Sequence, residues 1–538
     1  MALVLQVPSA AAAGGISFNP AVKLLNGHGG EPSIATDGAG NVYVTGPQGI
    51  PSGANGTPGV VFWASRDHAR TFATGVQLGS FLGGGDSDVQ VGPDGKTVGV
   101  LDLEAAASAV CISHDKGATF AGGNFVPDAT NCKILPTNQA GPSDDREWLT
   151  IDQQGRAYVT YHEFVSAQPL IFRSDNYGQD AFLAGPCGSI IAPSALTTIE
   201  PNVPQDVTSG TLISKPQVDR AGNVYVLFTT PTQAENVAAN AAGKPSGTFS
   251  QQYMAVSKDH CTSWNDYIVF DGSAVGTNTV QFGDVFNDLA IDGAGTLYSV
   301  AAGYIGKTAP ATPTADVFVF TSTDHGVTWK GPRQVTTDVG AHMLPAAVGG
   351  PGAGQLAIGY FRTTNGVKDP NNPMAKWTYT VSETSGAVNP LTAAFASADI
   401  SPGVIYHNGE ICNIGLLCGL LPNQPSDRSL ADFTAAAVDS DGCPIFTWAG
   451  NPTGTAGNNK SSDTFNFVSK QSSGCFAPPS TAQATPAGPA ASPTPSLLPN
   501  TAVAAPGPPG PSWGAVLLVL LLPVGGLTAL ARRRRRTA

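Results

Sequence analysis

Three arginines offer the plainest chemistry in this sequence: Arg146, Arg362 and Arg428. The other six arginines before the C-terminal arginine run fall in turns or outer strands of the repeat described below. A guanidinium group binds a carboxylate through two parallel hydrogen bonds, so arginines that face one space can hold an acidic ligand. We therefore treat these three as candidate ligand-binding residues.

Carboxyl groups and a tyrosine stand at matching positions of the sequence. Tyr161 and Glu163 are two residues apart in one apolar run, so they share a side if that run is a strand. The remaining candidates are acids that precede apolar runs. Asp86 and Asp88 are candidate catalytic acids, and Glu31, Glu147 and Asp432 are candidate ligand-binding residues.

A repeated unit positions these residues. Each copy begins with a short apolar run, an Asp-x-x-Gly or Asp-Gly turn, and a second run that often carries tyrosine. Apolar runs of period two around a glycine-bearing turn predict a β-hairpin. Seven copies occur, at residues 32–46, 89–103, 148–161, 216–228, 289–301, 346–360 and 435–449.

The second half of the unit is Ser-x-Asp-x-Gly-x-Thr-aromatic. Residues 113–120 and 322–329 match it fully, and weaker copies lie at 65–72, 174–182, 257–264, 382–386 and 469–476. We expect the Asp to cap amides of its own turn and the Gly to supply a positive φ. The motif resembles the Asp box, or BNR repeat, of sialidases and related β-propellers. The resemblance covers roughly residues 29–476 and implies that the boxes are structural.

Four strands in each of seven units predict an all-β propeller of about seven blades. The sialidase family has six blades, so six is the alternative. In a ring of six or seven blades, the innermost strand of each blade begins at the face where the second strand of that blade ends. We expect the channel mouth at that face to bind the ligand, and all the candidate residues above belong to it.

The sialidase resemblance implies a role for each candidate. The three arginines would hold the carboxylate of sialic acid, Tyr161 would be a nucleophile paired with Glu163, and Asp86 or Asp88 would be the acid/base. The chain lacks the Phe/Tyr-Arg-Ile-Pro motif of sialidases and has Glu31-Pro32 at the first inner strand. The alternative is that these charged residues pair with one another and bear no chemistry.

Charge bears on the ligand. The net charge is −12, and five of the 27 basic residues form the run Arg532 to Arg536. Without that run, 22 basic residues face 39 acidic ones, a net charge of −17. This balance argues against nucleic acid as a partner. Eleven acids against three arginines and Lys215 at the ligand face favour a neutral or cationic ligand over sialic acid.

Other cofactor chemistry has little support in the sequence. No organic cofactor is expected. Asp439, Asp441 and the acids between Asp284 and Asp288 can supply oxygen ligands, so Ca²⁺ is the one candidate ion. Hairpin turns and solvated loops explain the same acids without a metal.

Eight cysteines and both chain ends indicate export. Paired in order, the cysteines give Cys111/Cys132, Cys187/Cys261, Cys412/Cys418 and Cys443/Cys475, although eight cysteines allow 105 connectivities. An even count suits an oxidising compartment. Residues 1–15 have a short apolar run and a small-residue cleavage site, as in a signal peptide shortened at its start.

The C-terminal region predicts an anchor. Residues 476–512 form an uncharged linker rich in Pro, Ala, Ser and Thr, expected to be an extended stalk. Residues 513–531 are long enough and apolar enough to span a bilayer, and the basic tail 532–538 would stay in the cytoplasm. The linker contains Leu498-Pro499-Asn500-Thr501-Ala502, which resembles the signal that sortases cleave at the Thr. A wall-linked protein and a plain membrane anchor both remain open.

Together these observations predict a propeller over residues 16–475 at the surface of a bacterium. Two functions fit it. One is a non-catalytic propeller that binds a glycan or a surface protein, and the other is an exo-sialidase-type glycoside hydrolase.

Overall fold

We describe the protein from a computed structural model. The residues that it describes are 15–47, 59–78, 86–104, 107–120, 132–134, 144–163, 168–180, 182, 186–190, 212–230, 250–272, 279–282, 287–306, 314–412, 427–455 and 463–477. The chain separates into two units, Met1–Ser480 and Thr481–Ala538, and every described residue belongs to the first.

Both predicted terminal signals fall mainly outside these residues. The first fourteen residues, the Leu498 to Ala502 signal, the apolar span and the basic tail are not described. Within the described part of the chain, no helix is both long and apolar enough to cross a membrane.

The described strands form seven antiparallel sheets, which are the blades of a propeller. The first two strands, β1 (Ser17–Phe18) and β2 (Val22–Lys23), belong to the last blade. Blade 1 contains β3 (Ser33–Thr36), β4 (Val42–Pro47), β5 (Val60–Ser65) and β6 (Val76–Leu78). Blade 2 contains β7 (Ser87–Val91), β8 (Val98–Glu104), β9 (Ala107–Ser113) and β10 (Cys132–Ile134). Blade 3 contains β11 (Asp144–Ile151), β12 (Ala157–Glu163), β13 (Gln168–Ser174) and β14 (Pro186–Ser189).

The next three blades vary this plan slightly. Blade 4 contains β15 (Leu212–Ile213), β16 (Gln217–Val218), β17 (Val224–Thr230), β18 (Gln251–Ser257) and β19 (Asn265–Asp271). Blade 5 contains β20 (Thr279–Phe282), β21 (Asp288–Ile291), β22 (Leu297–Gly306), β23 (Asp316–Ser322) and β24 (Lys330–Gln334). Blade 6 contains β25 (His342–Gly349), β26 (Leu356–Thr363), β27 (Lys376–Thr384), β28 (Ala396–Asp399), β29 (His407–Asn408) and a 3₁₀ helix, Pro390–Thr392. In blades 4 and 5 the inner edge is thus split into two short strands, β15 with β16 and β20 with β21.

Blade 7 closes the ring. It contains β30 (Ala435–Val438), β31 (Pro444–Gly450) and β32 (Phe465–Ser473), with β1 and β2 paired outside β32. Its inner strand β30 contacts β25 of blade 6 on one side and β3 of blade 1 on the other. Backbone pairing therefore ties the start of the propeller to its end.

The apolar core lies between neighbouring blades. Every residue of β4, β17 and β31 is buried, because each of these second strands is covered by a blade on both faces. Aromatic rings fill the space between blades 6 and 7, where Tyr379 stacks on Trp448 with ring centroids 4.7 Å apart. This explains why the second strands carry apolar side chains on both of their faces.

Local side-chain chemistry fixes the turns between the third and fourth strands. In blade 2, Asp115 Oδ1 accepts a hydrogen bond from the backbone N–H of Thr119 (2.8 Å), and Asp115 Oδ2 accepts one from the Thr119 hydroxyl (2.6 Å). These hydrogen bonds, the Thr119 hydroxyl foremost, lower the pKa of Asp115 to about 2. Gly117 has a φ of 73°, as expected for this position.

The all-β class and the propeller are confirmed, and the number of blades is seven. The Cys187–Cys261 and Cys443–Cys475 bridges are also confirmed. Cys111 and Cys412 are disulfide-bonded too, and the register of β9 and β10 places Cys132 opposite Cys111. The pairing of these last cysteines stays a prediction.

Candidate functional site

The two ends of the ring differ in exposure. The loop face is the end of the ring where the inner strands begin. The turn face is the opposite end, where the inner strands continue into the Asp turns. In β3, β7 and β25 the first residues are buried and the last are partly exposed. The sequence led us to expect the open channel mouth at the loop face, whereas exposure of these strands increases toward the turn face.

Charged side chains nevertheless gather at the loop face. The mouth cluster consists of Glu31, Asp86, Arg146, Arg428 and Asp432. Arg146 Nη2 lies 3.5 Å from Asp432 Oδ2, and Arg428 Nη1 contacts Asp432 Oδ1. The backbone N–H of Asp432 donates to Glu31 Oε1 (2.8 Å). Two of the three predicted arginines therefore meet on a single internal carboxylate.

Burial separates the protonation states of the two central acids. Desolvation, with the nearby charges of Asp86 and Asp432, raises the pKa of Glu31 well above its usual value. Burial also acts to raise the pKa of Asp432, but Arg428 and Arg146 outweigh it, so that pKa is lowered. The cluster thus favours a protonated Glu31 beside an ionised Asp432.

The backbone around the mouth cluster is strained. Glu31 has a φ of 50°, Arg146 of 60° and Ala431 of 60°. Residues with a Cβ occupy this left-handed region at a cost of order 1 kcal/mol each. At Arg146 the strain accompanies an irregular register between Asp145 and Trp148 in β11. The surrounding contacts, including the ion pairs to Asp432, hold these residues in place.

Two contacts cross the channel between blades 3 and 7, which are not neighbours in the ring. One is the Arg146–Asp432 ion pair, and the other is the pair of rings of Trp148 and Phe433, whose centroids lie 4.7 Å apart. We call these two contacts the cross-channel brace. Trp148 is 8% exposed and Phe433 is 5% exposed. The brace therefore obstructs the channel at the loop face.

Arg362 belongs to a different network. Its Nη2 donates to both oxygens of Asp399, at 2.9 and 2.7 Å, and its Nη1 lies 3.5 Å from Asp338. Asp338 also contacts the buried His342 (3.0 Å). Burial acts to lower the pKa of Arg362, but Asp399 and Asp338 raise it overall. The contacts described for Arg362 thus lie within blades 5 and 6, away from Asp432.

The predicted nucleophile is in a core position. Tyr161 has no exposed surface, and its ring stacks on Phe172 with centroids 5.4 Å apart. It belongs to the apolar cluster that joins blades 2 and 3. A fully buried hydroxyl does not reach a ligand in this arrangement. The side chain of Glu163, its predicted partner, lies outside the described residues.

The other predicted acids are also buried. Asp88 accepts hydrogen bonds from the Ser33 hydroxyl (2.5 Å), the Lys215 ammonium (2.7 Å) and the backbone N–H of Leu149 (2.8 Å). It therefore joins the inner strands of blades 1, 2 and 3 to Lys215 of blade 4. Glu147 is 1% exposed and Asp86 is 8% exposed.

The channel holds a cavity of about 280 Å³ that the sequence did not reveal. Its polar lining includes Lys215, Asn287 and Asp288, and the rings of Trp148 and Phe433 lie at its loop-face end. Lys215 and Asp288 follow from the strand register. Asn287 and the two aromatic residues had no distinguishing sequence signal, because single Asn and Trp residues before apolar runs are common in cores and turns.

The acids considered for calcium are partly described. His68, Asp439 and Asp441 lie close enough to share an ion, but the Lys470 ammonium contacts both carboxylates, at 2.5 Å from Asp441. An ammonium group in that position supplies the positive charge that a cation would bring. Asp284 lies outside the described residues.

The fold defines the class: the chain is a seven-bladed β-propeller with a braced axial channel. No protein-family model matches the chain, and no curated protein sequence matches it.

Several solved structures are similar in outline. An ulvan lyase of polysaccharide lyase family PL25, bound to -[GlcA(1-4)Rha3S]-, is 10% identical with a TM-score of 0.45, over 82% of this chain and 95% of that one. The Hadza microbial sialidase Hz136 is 13% identical with a TM-score of 0.37, over 82% and 65%. An α-L-arabinanase from Penicillium chrysogenum, complexed with arabinobiose, is 11% identical with a TM-score of 0.34, over 62% and 95%. Likeness at this level carries no argument about activity.

Proposed function

We propose that this protein is a cell-surface propeller that binds an uncharged glycan at its loop face and does not cleave it. The observation that carries the proposal is the shared carboxylate of Asp432, which already pairs with Arg146 and Arg428. An internal carboxylate thus occupies the place that the acid group of a sialoside would need. Displacing it would leave a buried charge without its partners, which is costly.

The other predicted site residues support binding without hydrolysis. Arg362 is paired with Asp399, and the Tyr161 hydroxyl is buried. An uncharged glycan needs none of these groups to change partners. Its hydroxyls both donate and accept hydrogen bonds, so they can bind at the surface of the loop face while the buried ion pairs of Asp432 stay intact.

Surface location is part of the proposal. The disulfides support an oxidising compartment, and the C-terminal sequence supports a membrane anchor with the option of sortase transfer to the cell wall. The Ser-x-Asp-x-Gly turns support an Asp-box relationship to sialidase-like propellers. If no oligosaccharide binds in the test below, the proposal of a glycan ligand fails and a protein ligand becomes the hypothesis to test.

The test combines binding and turnover on the full-length protein in mild detergent. We expect binding to immobilised neutral oligosaccharides, no binding to their sialylated forms, and no hydrolysis of a fluorogenic sialoside. Arg70→Ala, at an exposed turn position, serves as the control for substitution of an arginine.

The sialidase alternative gives the opposite pattern. Turnover of the sialoside that Arg428→Lys abolishes, with the melting temperature unchanged, would overturn the proposal. The same holds if sialylated oligosaccharides bind more tightly than neutral ones.

A further inference from the structure

We propose that the axial channel contains a second ligand site, reached from the turn face, for one uncharged polyol of monosaccharide size. This site shares no residue with the mouth cluster and does not depend on the function proposed above. It is built from Trp148, Lys215, Asn287 and Asp288, which come from three different blades and line one cavity.

Unused hydrogen-bonding groups point to a ligand. Asn287 is 6% exposed and lines the cavity, yet neither its amide nitrogen nor its amide oxygen has a hydrogen-bond partner. Trp148 is 8% exposed, and its Nε1 also has no partner. Buried polar groups are nearly always hydrogen-bonded, so two such side chains on one cavity call for an occupant.

The charges of the channel favour an uncharged occupant. The Lys215 ammonium lies 2.7 Å from Asp88, so the carboxylate balances its charge. An ammonium group has three N–H donors, so Lys215 can still donate hydrogen bonds to a ligand. Asp288 accepts backbone hydrogen bonds from Leu289 (2.8 Å) and Ala347 (2.7 Å), and burial raises its pKa to about 6. Of the charged groups that line the cavity, an anion would face Asp288, whereas a cation would face Lys215.

Size and shape fit a single sugar ring. The cavity of about 280 Å³ corresponds to roughly nine water molecules at about 30 Å³ each. Trp148 and Phe433 offer apolar surface to the C–H groups of a ring, and the amide, ammonium and carboxylate serve its hydroxyls. A polyol both donates and accepts, so it satisfies Asn287 and Trp148 together.

Access follows from the brace and from the burial of the inner strands. The brace obstructs the loop-face end, while Thr36, Val91 and Gly349 at the opposite end of the cavity are partly exposed. We therefore expect ligands to enter and leave past the turn-face end.

The first experiment is saturation-transfer NMR on the full-length protein with defined probes. The uncharged probes are methyl α-D-glucopyranoside, D-galactose, L-rhamnose and myo-inositol, and the charged probes are N-acetylneuraminate and D-glucosamine. We expect saturable binding of at least one uncharged probe and no binding of the charged ones. Failure of all four uncharged probes, or binding of a charged probe alone, overturns the site.

Asn287→Leu separates a ligand-binding role from a structural one. Leucine has a similar size and removes a buried amide that has no partner, so the melting temperature without ligand should not fall. The dissociation constant of the bound probe should rise about tenfold or more, and Trp148→Phe, which keeps a ring beside Phe433, should weaken binding too. A lower melting temperature for Asn287→Leu, or unchanged binding in both variants, contradicts the proposal.

Matched tryptophan substitutions test the route of access. Gln90 lines the channel near the turn face, and Gln154 is exposed in a turn on the same face but outside the channel. Gln90→Trp should slow association of the bound probe at least tenfold, and Gln154→Trp should leave it unchanged. Equal association rates for the two variants would exclude access from the turn face. Failure of neutral oligosaccharides to bind at the loop face would leave these outcomes unaffected.

Discussion

Arg146 is held by the interior of the protein. It is 7% exposed and spans the channel to reach Asp432. Arg146→Ala should therefore destabilise the fold by about 2–4 kcal/mol, because the buried ion pair across the channel is lost and Asp432 keeps only Arg428 as a positively charged partner. Urea unfolding would measure the loss, with the exposed Arg70→Ala expected to have little effect. Normal stability combined with a selective loss of ligand binding would show that Arg146 is free to serve a ligand.

Glu31 should make the protein less stable as pH rises. Its pKa is raised in the folded state, so folding favours the protonated form. That contribution is complete below the unfolded pKa of about 4.3 and is lost as pH rises through the folded pKa. Glu31→Gln removes this loss, so its stability relative to the parent should increase from pH 4.5 to pH 7.5.

Thermal unfolding at several pH values would measure this difference. Asp175→Asn is the control, because the Asp175 side chain is 63% exposed. A Glu31→Gln variant whose stability difference from the parent stays constant across that range would show that Glu31 is ionised in the folded protein.

The sequence predicted which residues stand at the loop face but not how they pair. The register placed Arg146, Arg428 and Asp432 at one end of the ring. Arg146 and Asp432 are 286 positions apart, and their contact exists only because the ring closes. The burial of Tyr161 was missed for a related reason, since the neighbouring blade that covers it is remote in sequence.

Among the structural elements, the turns were the most predictable. Asp115 and Thr119 are four residues apart, and their hydrogen bonds need no partner from another blade. The split inner edge of blade 4 also has a local cause, which was missed: Pro216 lies between β15 and β16 and has no backbone N–H to donate to the ladder. The cavity was missed because its lining comes from the inner strands of several blades that are remote in sequence.

The turn of blade 2 provides a stability test. Gly117 has a φ of 73°, and a Cβ there would lie 2.5 Å from the Phe62 ring of blade 1. Gly117→Ala should therefore cost about 1–2 kcal/mol or more through strain and displacement of that ring.

Gly38→Ala is the matched control, because that glycine has no atom within 4 Å of an added Cβ. It should leave thermal stability unchanged or slightly increase it. Similar losses in both variants would mean that the backbone conformation of the Gly117 turn does not matter to the blade.

At the scale of the whole molecule, the proposed C-terminal anchor predicts the location of the protein in cell fractions. Deletion of residues 498–538 should release a folded propeller into the medium, since the span and the basic tail are removed. Immunoblots of medium and cell fractions, with the disulfides checked by alkylation, would follow it. Deletion of residues 486–495, which lie in the linker and leave the span and the basic tail intact, is the control and should leave the protein with the cells. A truncated protein that stays inside the cell would contradict the topology.

The pairing of the first strands with the last one sets the order in which this protein can fold. The Ser17 hydroxyl meets that of Ser473 at 2.6 Å, across 456 positions of sequence. A ribosome makes β1 and β2 first, yet their partner β32 is made only after six other blades. Contacts so distant in sequence form slowly. The nascent chain therefore carries two unpaired strands through nearly all of its synthesis, and an exported chain would stay unclosed until the last blade had crossed the membrane.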